Sequence, residues 1–233
     1  MEDFLAASFW LAVGQIILID IVLGGDNAVV IALACRNLPP KQRRLGIIYG
    51  TAGAIVLRVI LIAFALALLT VPYLKLVGAV LLVWIGVKLL LPEKEDAHNI
   101  NPSDKLWAAV KTVIVADLVM SIDNVLGIAG AAEAAGQHQL LLVIFGLLVS
   151  IPIIVAGSQI VLRLMERFPI IIVVGGMLLG WIAGQMAYTD PALKPYVPAG
   201  KEWEYAACAV GALLVLGLGK WLGRTPKPPM PQP

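Results

Sequence analysis

The sequence predicts an all-α polytopic membrane protein with about seven transmembrane helices, arranged as two inverted three-helix repeats plus one extra helix. Of its 233 residues, 60% are hydrophobic and 14% are charged, and the mean hydropathy is +0.92. These values lie far from those of a soluble domain. The apolar residues fall into seven stretches close to the ~20 residues that a helix needs to cross a bilayer. A short acidic motif also occurs twice, in the first and fourth of these stretches.

The first predicted span follows an acidic N-terminus and continues past Cys35 without a small-residue cleavage site, so we expect it to be retained. Prolines and short polar linkers separate the spans, as at Pro39-Pro40, Pro72, Pro92 and Pro169. The later spans are predicted at Leu45–Thr70, Tyr73–Leu91, Leu106–Glu133, Leu140–Leu164, Ile170–Tyr188 and Ala206–Leu222.

We expect a single membrane domain over residues 1–224. Within it, repeat one covers about 4–91, repeat two about 106–190, and the extra helix about 203–222. Residues 225–233 are rich in proline and are predicted to form a disordered tail.

Basic residues near span ends favour the cytoplasm, and 13 of the 17 Lys and Arg residues fall on one predicted side. Lys75, Lys194 and Lys201 fall on the other side, and Arg58 lies within the second span. This imbalance predicts a multi-pass protein of the cell inner membrane with its N-terminus outside and its C-terminus in the cytoplasm. The lipid bilayer is then the expected partner. A formal charge of +2 argues against nucleic acid, and the oligomeric state stays open.

The repeated motif has the pattern D-x5-D-N. Its first copy contains Asp20, Asp26 and Asn27, and its second contains Asp117, Asp123 and Asn124, which start 97 residues apart (117 − 20). The copies lie in the first and fourth spans, an offset of three spans, so the two motif-bearing helices are predicted to cross the membrane in opposite directions. Inverted repeats of this kind are common in secondary transporters, whose substrate site lies near the midplane.

Residues seven apart lie within about 20° of one another on a helix, whereas Asp26 and Asp123 fall about 120° from the first Asp of their motifs. We therefore expect Gly24-Gly25 to break the first helix so that both carboxylates face one site. The second copy has Met120-Ser121 there, which predicts a milder break.

An Asp in mid-membrane costs about 2.5–3.5 kcal/mol, which a bound cation can offset. Carboxylate and amide oxygens suit Mg²⁺, Ca²⁺ or Mn²⁺, whereas His98 and His138 lie in predicted loops, which disfavours zinc and copper. The predicted metal ligands are Asp20, Asp26, Asn27, Asp117, Asp123 and Asn124, with Arg58 as a possible counter-ion. Both Asn residues could instead orient the acids or cap a half-helix. The cation would be a substrate, with no permanently bound cofactor.

Other functions stay open. A monovalent cation/proton exchanger or an exporter of a small cationic metabolite would use the same acids, whereas a membrane scaffold would not need them. An intramembrane enzyme is disfavoured because the hydrolase and zinc-protease motifs are missing from the sequence. Polar side chains elsewhere in the spans are expected to make interhelical hydrogen bonds or to line a path, including Thr51, Ser150, Ser158 and Gln185.

The two motifs and the seven-span layout resemble the TerC family of integral membrane proteins, in particular its short bacterial YjbE-like branch. The resemblance covers roughly residues 8–190 and is strongest at Gly24-Gly25-Asp26-Asn27 and Ser121-Ile122-Asp123-Asn124. It implies a metal-ion transporter, most often linked with manganese efflux, whose acidic site matches Asp20, Asp26, Asp117 and Asp123. The preference for manganese comes only from this resemblance. Proton exchange is one coupling mechanism that clustered acids allow.

Overall fold

The computed structural model describes residues 7–64, 71–92, 101–134 and 139–223. Over these ranges the chain forms seven helices and no strands, which confirms the predicted all-α class. The predicted proline-rich tail at 225–233 lies outside the described residues. The helices are α1 (Ala7–Cys35), α2 (Pro40–Ala63), α3 (Leu74–Leu90), α4 (Pro102–Ala134), α5 (Gln139–Arg167), α6 (Ile170–Thr189) and α7 (Lys201–Leu222).

Local sequence explains where several helices begin and end. Proline suits the first turn of a helix, and α2 accordingly starts at Pro40, five residues before the apolar stretch. Pro92 excludes further helix, so α3 ends at Leu90. Before α7, Gly200 has a φ of 150°, a conformation that disfavours other residues.

The start of α7 also differs from the prediction. The helix begins at Lys201, whereas hydropathy predicted Ala206. Its polar first turn contains Glu202 and Glu204, whose negative charges are favourable beside the helix N-terminus. Hydropathy marks the apolar part of a helix and therefore misses such a turn.

Four helical segments, searched over the described residues, are long and apolar enough to cross a membrane: Pro40–Ile62, Ile144–Arg167, Ile170–Thr189 and Lys201–Leu222. Large apolar side chains lie on the outside of the helices, as at Leu11, Val80 and Trp221, which are 67%, 65% and 70% exposed. So much exposed apolar surface is unfavourable in water and indicates contact with lipid.

The helices pack in two groups. In the first, α1 lies along α5, α2 lies along α4, and α1 contacts α4. In the second, α6 packs against both α3 and α7. Most contacts among the first six helices have a counterpart when α1–α3 are exchanged with α4–α6: α1 packs on α5 as α4 packs on α2, and α1 contacts α6 as α4 contacts α3. A small polar cavity lies within the first group, which we call the four-helix group (α1, α2, α4 and α5).

Glycine allows α6 and α7 to approach at backbone distance. A Cβ atom at Gly180 would lie 2.3 Å from the Gly211 carbonyl oxygen, and one at Gly184 would lie 2.2 Å from that of Ala207. No real Cβ contact is so short, so this interface requires residues without side chains. Small residues commonly allow such close packing between membrane helices.

Candidate cation-binding site

The polar cavity lies where the four-helix group converges. Its volume is about 10 Å³, close to what one water-sized group requires. All four helices contribute to its lining: Asn27, Val30, Ile31, Thr51, Ala54, Ile55, Arg58, Val113, Asp117 and Ile154. Two of the predicted ligands, Asn27 and Asp117, and the predicted counter-ion, Arg58, therefore share one cavity.

A buried ion pair forms one wall of this cavity. Arg58 on α2 is 3% exposed and Asp117 on α4 is 5% exposed. The Arg58 Nη2 atom donates a hydrogen bond of 2.5 Å to Asp117 Oδ1. Arg58 Nε donates to the Ser121 hydroxyl at 3.1 Å, and that hydroxyl donates to Asp117 Oδ2 at 3.1 Å. Both carboxylate oxygens of Asp117 are thus bonded to protein groups.

Unpartnered polar atoms lie next to this pair. Asn27 is 4% exposed, and neither its Oδ1 nor its Nδ2 has a hydrogen-bond partner in the described structure. The same holds for the buried Oδ1 of Asp26 and Oγ1 of Thr51. Burying a polar group without a partner costs roughly 1–3 kcal/mol, so folded proteins rarely keep several together. The unpartnered oxygens of Asn27 and Thr51 therefore share one cavity, and Asp26 is the residue next to Asn27 in the sequence.

Asp26 belongs to the same electrostatic environment. It is half-buried, directly precedes Asn27, and lies close enough to Asp117 and Arg58 for their charges to interact with its own. Two acidic groups and one basic group thus act on one another among the described side chains. Acidic groups outnumber the basic group among these three, which favours a cation over an anion.

The predicted helix breaks are wrong. Helix α1 continues through Gly24-Gly25 and Asp26, and α4 continues through Met120-Ser121. Each unbroken turn keeps its backbone hydrogen bonds inside the helix, which an apolar surrounding strongly favours. A Cβ atom at Gly25 would meet nothing within 4 Å, so this glycine is not required for close helix packing either.

The side chains of Asp20, Asp123 and Asn124 lie outside the described residues, although the backbone at all three positions is helical. His98 and His138 fall in segments that also lie outside them. Among the described residues, no group of three or more His, Cys, Asp or Glu side chains is placed to hold a metal. The described part of the site consists of Asp26, Asn27 and Asp117, with Arg58.

Two polar residues at the cavity were not among the predicted ligands. Thr51 precedes Arg58 by seven residues and thus shares its helix face, a spacing that could have indicated its role. Ser121 follows Asp117 by four residues, again on one face. Of the expected interhelical bonds, Gln185 makes one, from Nε2 to Glu204 Oε1 at 2.9 Å. Ser150 and Ser158 instead bond to carbonyl groups of their own helix.

These oxygen atoms suit a small, hard cation. Asp26 offers a carboxylate oxygen, Asn27 an amide oxygen and Thr51 a hydroxyl oxygen, and Asp117 would add another carboxylate if Arg58 released it. Ca²⁺, Mg²⁺ and Mn²⁺ all take oxygen ligands of these types. The described atoms alone do not select among these ions.

An all-helical chain with lipid-exposed apolar surfaces and a buried charged cavity defines a polytopic integral membrane protein. The model of the integral membrane protein TerC family matches residues 5–227. The chain belongs to this family, which confirms the resemblance seen in the two motifs.

Relatives in Bacillus subtilis agree with this assignment. The chain is 43% identical over 179 residues to the uncharacterized membrane protein YjbE, a match that covers 77% of this chain and 80% of that protein. It is 30% identical over 187 residues to the uncharacterized membrane protein YceF, covering 76% and 71% of the two chains. The UPF0053 protein YegH of Escherichia coli is 27% identical over 192 residues, but these are 74% of this chain and 36% of that relative. No solved structure matches the chain.

Proposed function

We propose that this protein exports a divalent metal cation, manganese first among the candidates, by alternating access at the cavity between α1 and α4. The observation that supports the proposal is that the unpartnered oxygen atoms of Asn27 and Thr51 share a cavity with the acidic Asp117, while the adjacent Asp26 has a further unpartnered oxygen. A bound cation would satisfy these atoms and offset the cost of burying them. Manganese is preferred on the family resemblance alone.

Alternating access requires two halves that can exchange roles, and we propose that α1–α3 and α4–α6 are inverted repeats. The packing supports this division, because α1 lies along α5 as α4 lies along α2. Asn27 and Asp117 come from the two repeats and face one cavity. Substrate sites at the interface between repeats are typical of such transporters.

The proposed orientation in the inner membrane has the N-terminus outside and the C-terminus in the cytoplasm. Arg43 at the start of α2 pairs with Glu166 at the end of α5, and it donates to the Arg36 carbonyl oxygen at the end of α1. Three basic helix ends therefore lie together, as the positive-inside rule expects of a cytoplasmic face. Tyr73 and Asp190 meet at other helix ends, next to the less basic loops.

Manganese flux in proteoliposomes tests the function. We expect Asp26→Asn and Asp123→Asn to reduce flux strongly, because each removes a charge from the proposed site. The matched control is Asp104→Asn, which neutralises an exposed acid in the first turn of α4. Wild-type flux in both site variants would refute the assignment, as would equal loss in the control.

A monovalent cation/proton exchanger is the second candidate. The Arg58–Asp117 pair favours this candidate, because Asp117 already binds a group with one positive charge, the Arg58 guanidinium. An exporter of a small cationic metabolite would use the same acid, although a cavity of about 10 Å³ is small for such a metabolite in this conformation.

Ion competition separates the candidates. Inhibition of Mn²⁺ flux by other divalent ions, without inhibition by Na⁺ or K⁺, supports the metal exporter.

A further inference from the structure

Building on the proposed function, we propose that Arg58 is a tethered competitor of the transported cation. Its guanidinium group holds Asp117 whenever the substrate does not, and it must release Asp117 before that residue can bind the metal. The competition would set the affinity of the site and help expel the ion. Arg58 is therefore a positioning residue, not a structural counter-ion that keeps one partner throughout transport.

Asp117 is bonded to a protein donor at each of its carboxylate oxygens. Arg58 Nη2 bonds to Oδ1 at 2.5 Å, and the Ser121 hydroxyl bonds to Oδ2 at 3.1 Å. Each oxygen keeps a second lone pair, so these bonds alone do not exclude a metal. They do place the Arg58 charge directly beside Oδ1, so a dication can bind that oxygen strongly only if Arg58 moves away.

The polar groups of the site differ in their hydrogen-bond partners. The buried oxygens of Asp26, Asn27 and Thr51 have no hydrogen-bond partner among the described residues, whereas Asp117 has two. A structural ion pair would explain Asp117 but not the unpartnered oxygens of Asn27 and Thr51 in the same cavity. A site shared in turn by a guanidinium and a metal explains both, because the metal would bind first where acceptors are available.

The positive charge of Arg58 also opposes a second cation at Asp117. A guanidinium group stays charged at every physiological pH, so Arg58 cannot leave Asp117 by losing its proton. A dication and a guanidinium at one carboxylate repel each other strongly where little water screens them. Metal binding would therefore displace Arg58, and the return of Arg58 would displace the metal. A buried Asp117 would have a cationic partner at every stage, as a charged group in the membrane interior requires.

The test compares Mn²⁺ binding and Mn²⁺ flux for wild type and Arg58→Gln. We expect the variant to bind Mn²⁺ about tenfold more tightly, because a competing state lowers apparent affinity in proportion to its population. In flux assays KM should fall and the maximal rate should fall as well, since release becomes slow. Arg58→Lys restores a tethered cation and should bring both values back toward wild type.

Unchanged or weaker Mn²⁺ affinity in Arg58→Gln would overturn the inference. Tighter binding with an unchanged maximal rate would overturn it as well, because removing a fixed counter-ion relieves its repulsion of the metal without slowing release. Should this variant not fold, Ser121→Ala decides the question. Removing the hydroxyl that bonds to both partners loosens Arg58 and should tighten Mn²⁺ binding, whereas weaker or equal binding would contradict the proposal. Failure of wild type to bind or transport any divalent ion would instead refute the proposed function itself.

Discussion

Asp117 and Asn27 lie in one cavity, but they differ in their hydrogen bonding. Asp117 is bonded at both oxygens, while the Asn27 amide has no partner in the part of the chain that the structure describes. The first arrangement stabilises the fold around Arg58, and the second leaves binding capacity. We interpret the cavity as a site in which Asn27 is available to a cation at once, whereas Asp117 becomes available when Arg58 moves away.

The Arg58–Asp117 pair leads to a prediction about stability. Removing one partner of a buried ion pair leaves an uncompensated charge, so Asp117→Leu should lower the free energy of unfolding by about 3–5 kcal/mol. Arg58→Met combined with Asp117→Leu should be far less destabilised, because no charge is then buried alone. Denaturation in mixed micelles measures both, and a double variant as unstable as the sum of the single variants would contradict this account.

Sequence alone could indicate these residues but not their contacts. The D-x5-D-N spacing identified Asn27 and Asp117, which do meet in one cavity. It could not show that Arg58 reaches Asp117, because the rotation of α2 is set by packing against α4 rather than by its own pattern. The helix breaks were wrongly predicted because glycine weakens helices in water, whereas an apolar surrounding penalises any unbonded backbone group.

At the scale of helices, Asp190 replaces a cap that α3 lacks. Its carboxylate accepts the backbone N–H groups of Tyr73 at 3.1 Å, Leu76 at 3.0 Å and Ala192 at 2.8 Å. Tyr73 itself has a φ of 65° and provides no side-chain cap. One buried carboxylate therefore joins the start of α3 to the end of α6.

Asp190 makes stability depend on pH. Burial raises the pKa of this carboxyl, but the backbone N–H bonds outweigh burial and hold its pKa below the usual 3.8. A group whose pKa is lower in the folded state than in the unfolded state stabilises the fold at pH values above its unfolded-state pKa. This contribution is lost as the pH falls through the folded-state pKa. Wild type should therefore lose thermal stability in that acidic range.

Asp190→Asn is the matched variant for this titration. It keeps one acceptor oxygen but cannot ionise, so it should be less stable at neutral pH by about 0.5–2 kcal/mol, the usual value of a helix cap. Its difference from wild type should shrink as the pH falls. Melting curves in detergent at several pH values measure this, and a difference that is independent of pH would exclude the carboxylate as the cause.

The α6–α7 interface gives a second prediction at this scale. A methyl group at Gly211 would lie 2.1 Å from the Gly180 carbonyl oxygen, so Gly211→Ala must force the helices apart and lower the melting temperature clearly. Gly217 on the same helix is the control, since a methyl group there meets nothing within 4 Å. Gly217→Ala should be neutral or stabilising by up to about 1 kcal/mol, as alanine favours helix. Equal melting temperatures for the two variants would contradict the packing.

Prolines at the predicted linkers made the helix order predictable, because their effect on the backbone depends only on neighbouring residues. Pro152 is an exception, since it lies inside α5. Pro40 begins α2 and Pro92 follows the end of α3 as expected. The role of Asp190 could not be predicted in this way. Its partners Tyr73 and Leu76 lie 117 and 114 residues away in sequence, and only the packing of α3 on α6 brings them together.

The whole molecule consists of two groups of helices. One surrounds the buried Arg58–Asp117 pair, and in the other α6 and α7 pack closely because glycines lie at their interface. The four-helix group surrounds the polar cavity, and α3, α6 and α7 pack beside it. The two copies of the motif each contribute a residue to the cavity, Asn27 from α1 and Asp117 from α4. The inverted repeats that we propose would share this site and expose it to each side in turn.

The position of bound manganese tests the central claim most directly. Anomalous scattering from the protein with saturating Mn²⁺ in a lipid phase should show a peak between α1 and α4, with oxygens of Asn27, Asp26 or Asp117 at about 2.0–2.6 Å, as hard cations bind them. A peak found only at the loops or surface, or no peak at saturation, would contradict the account.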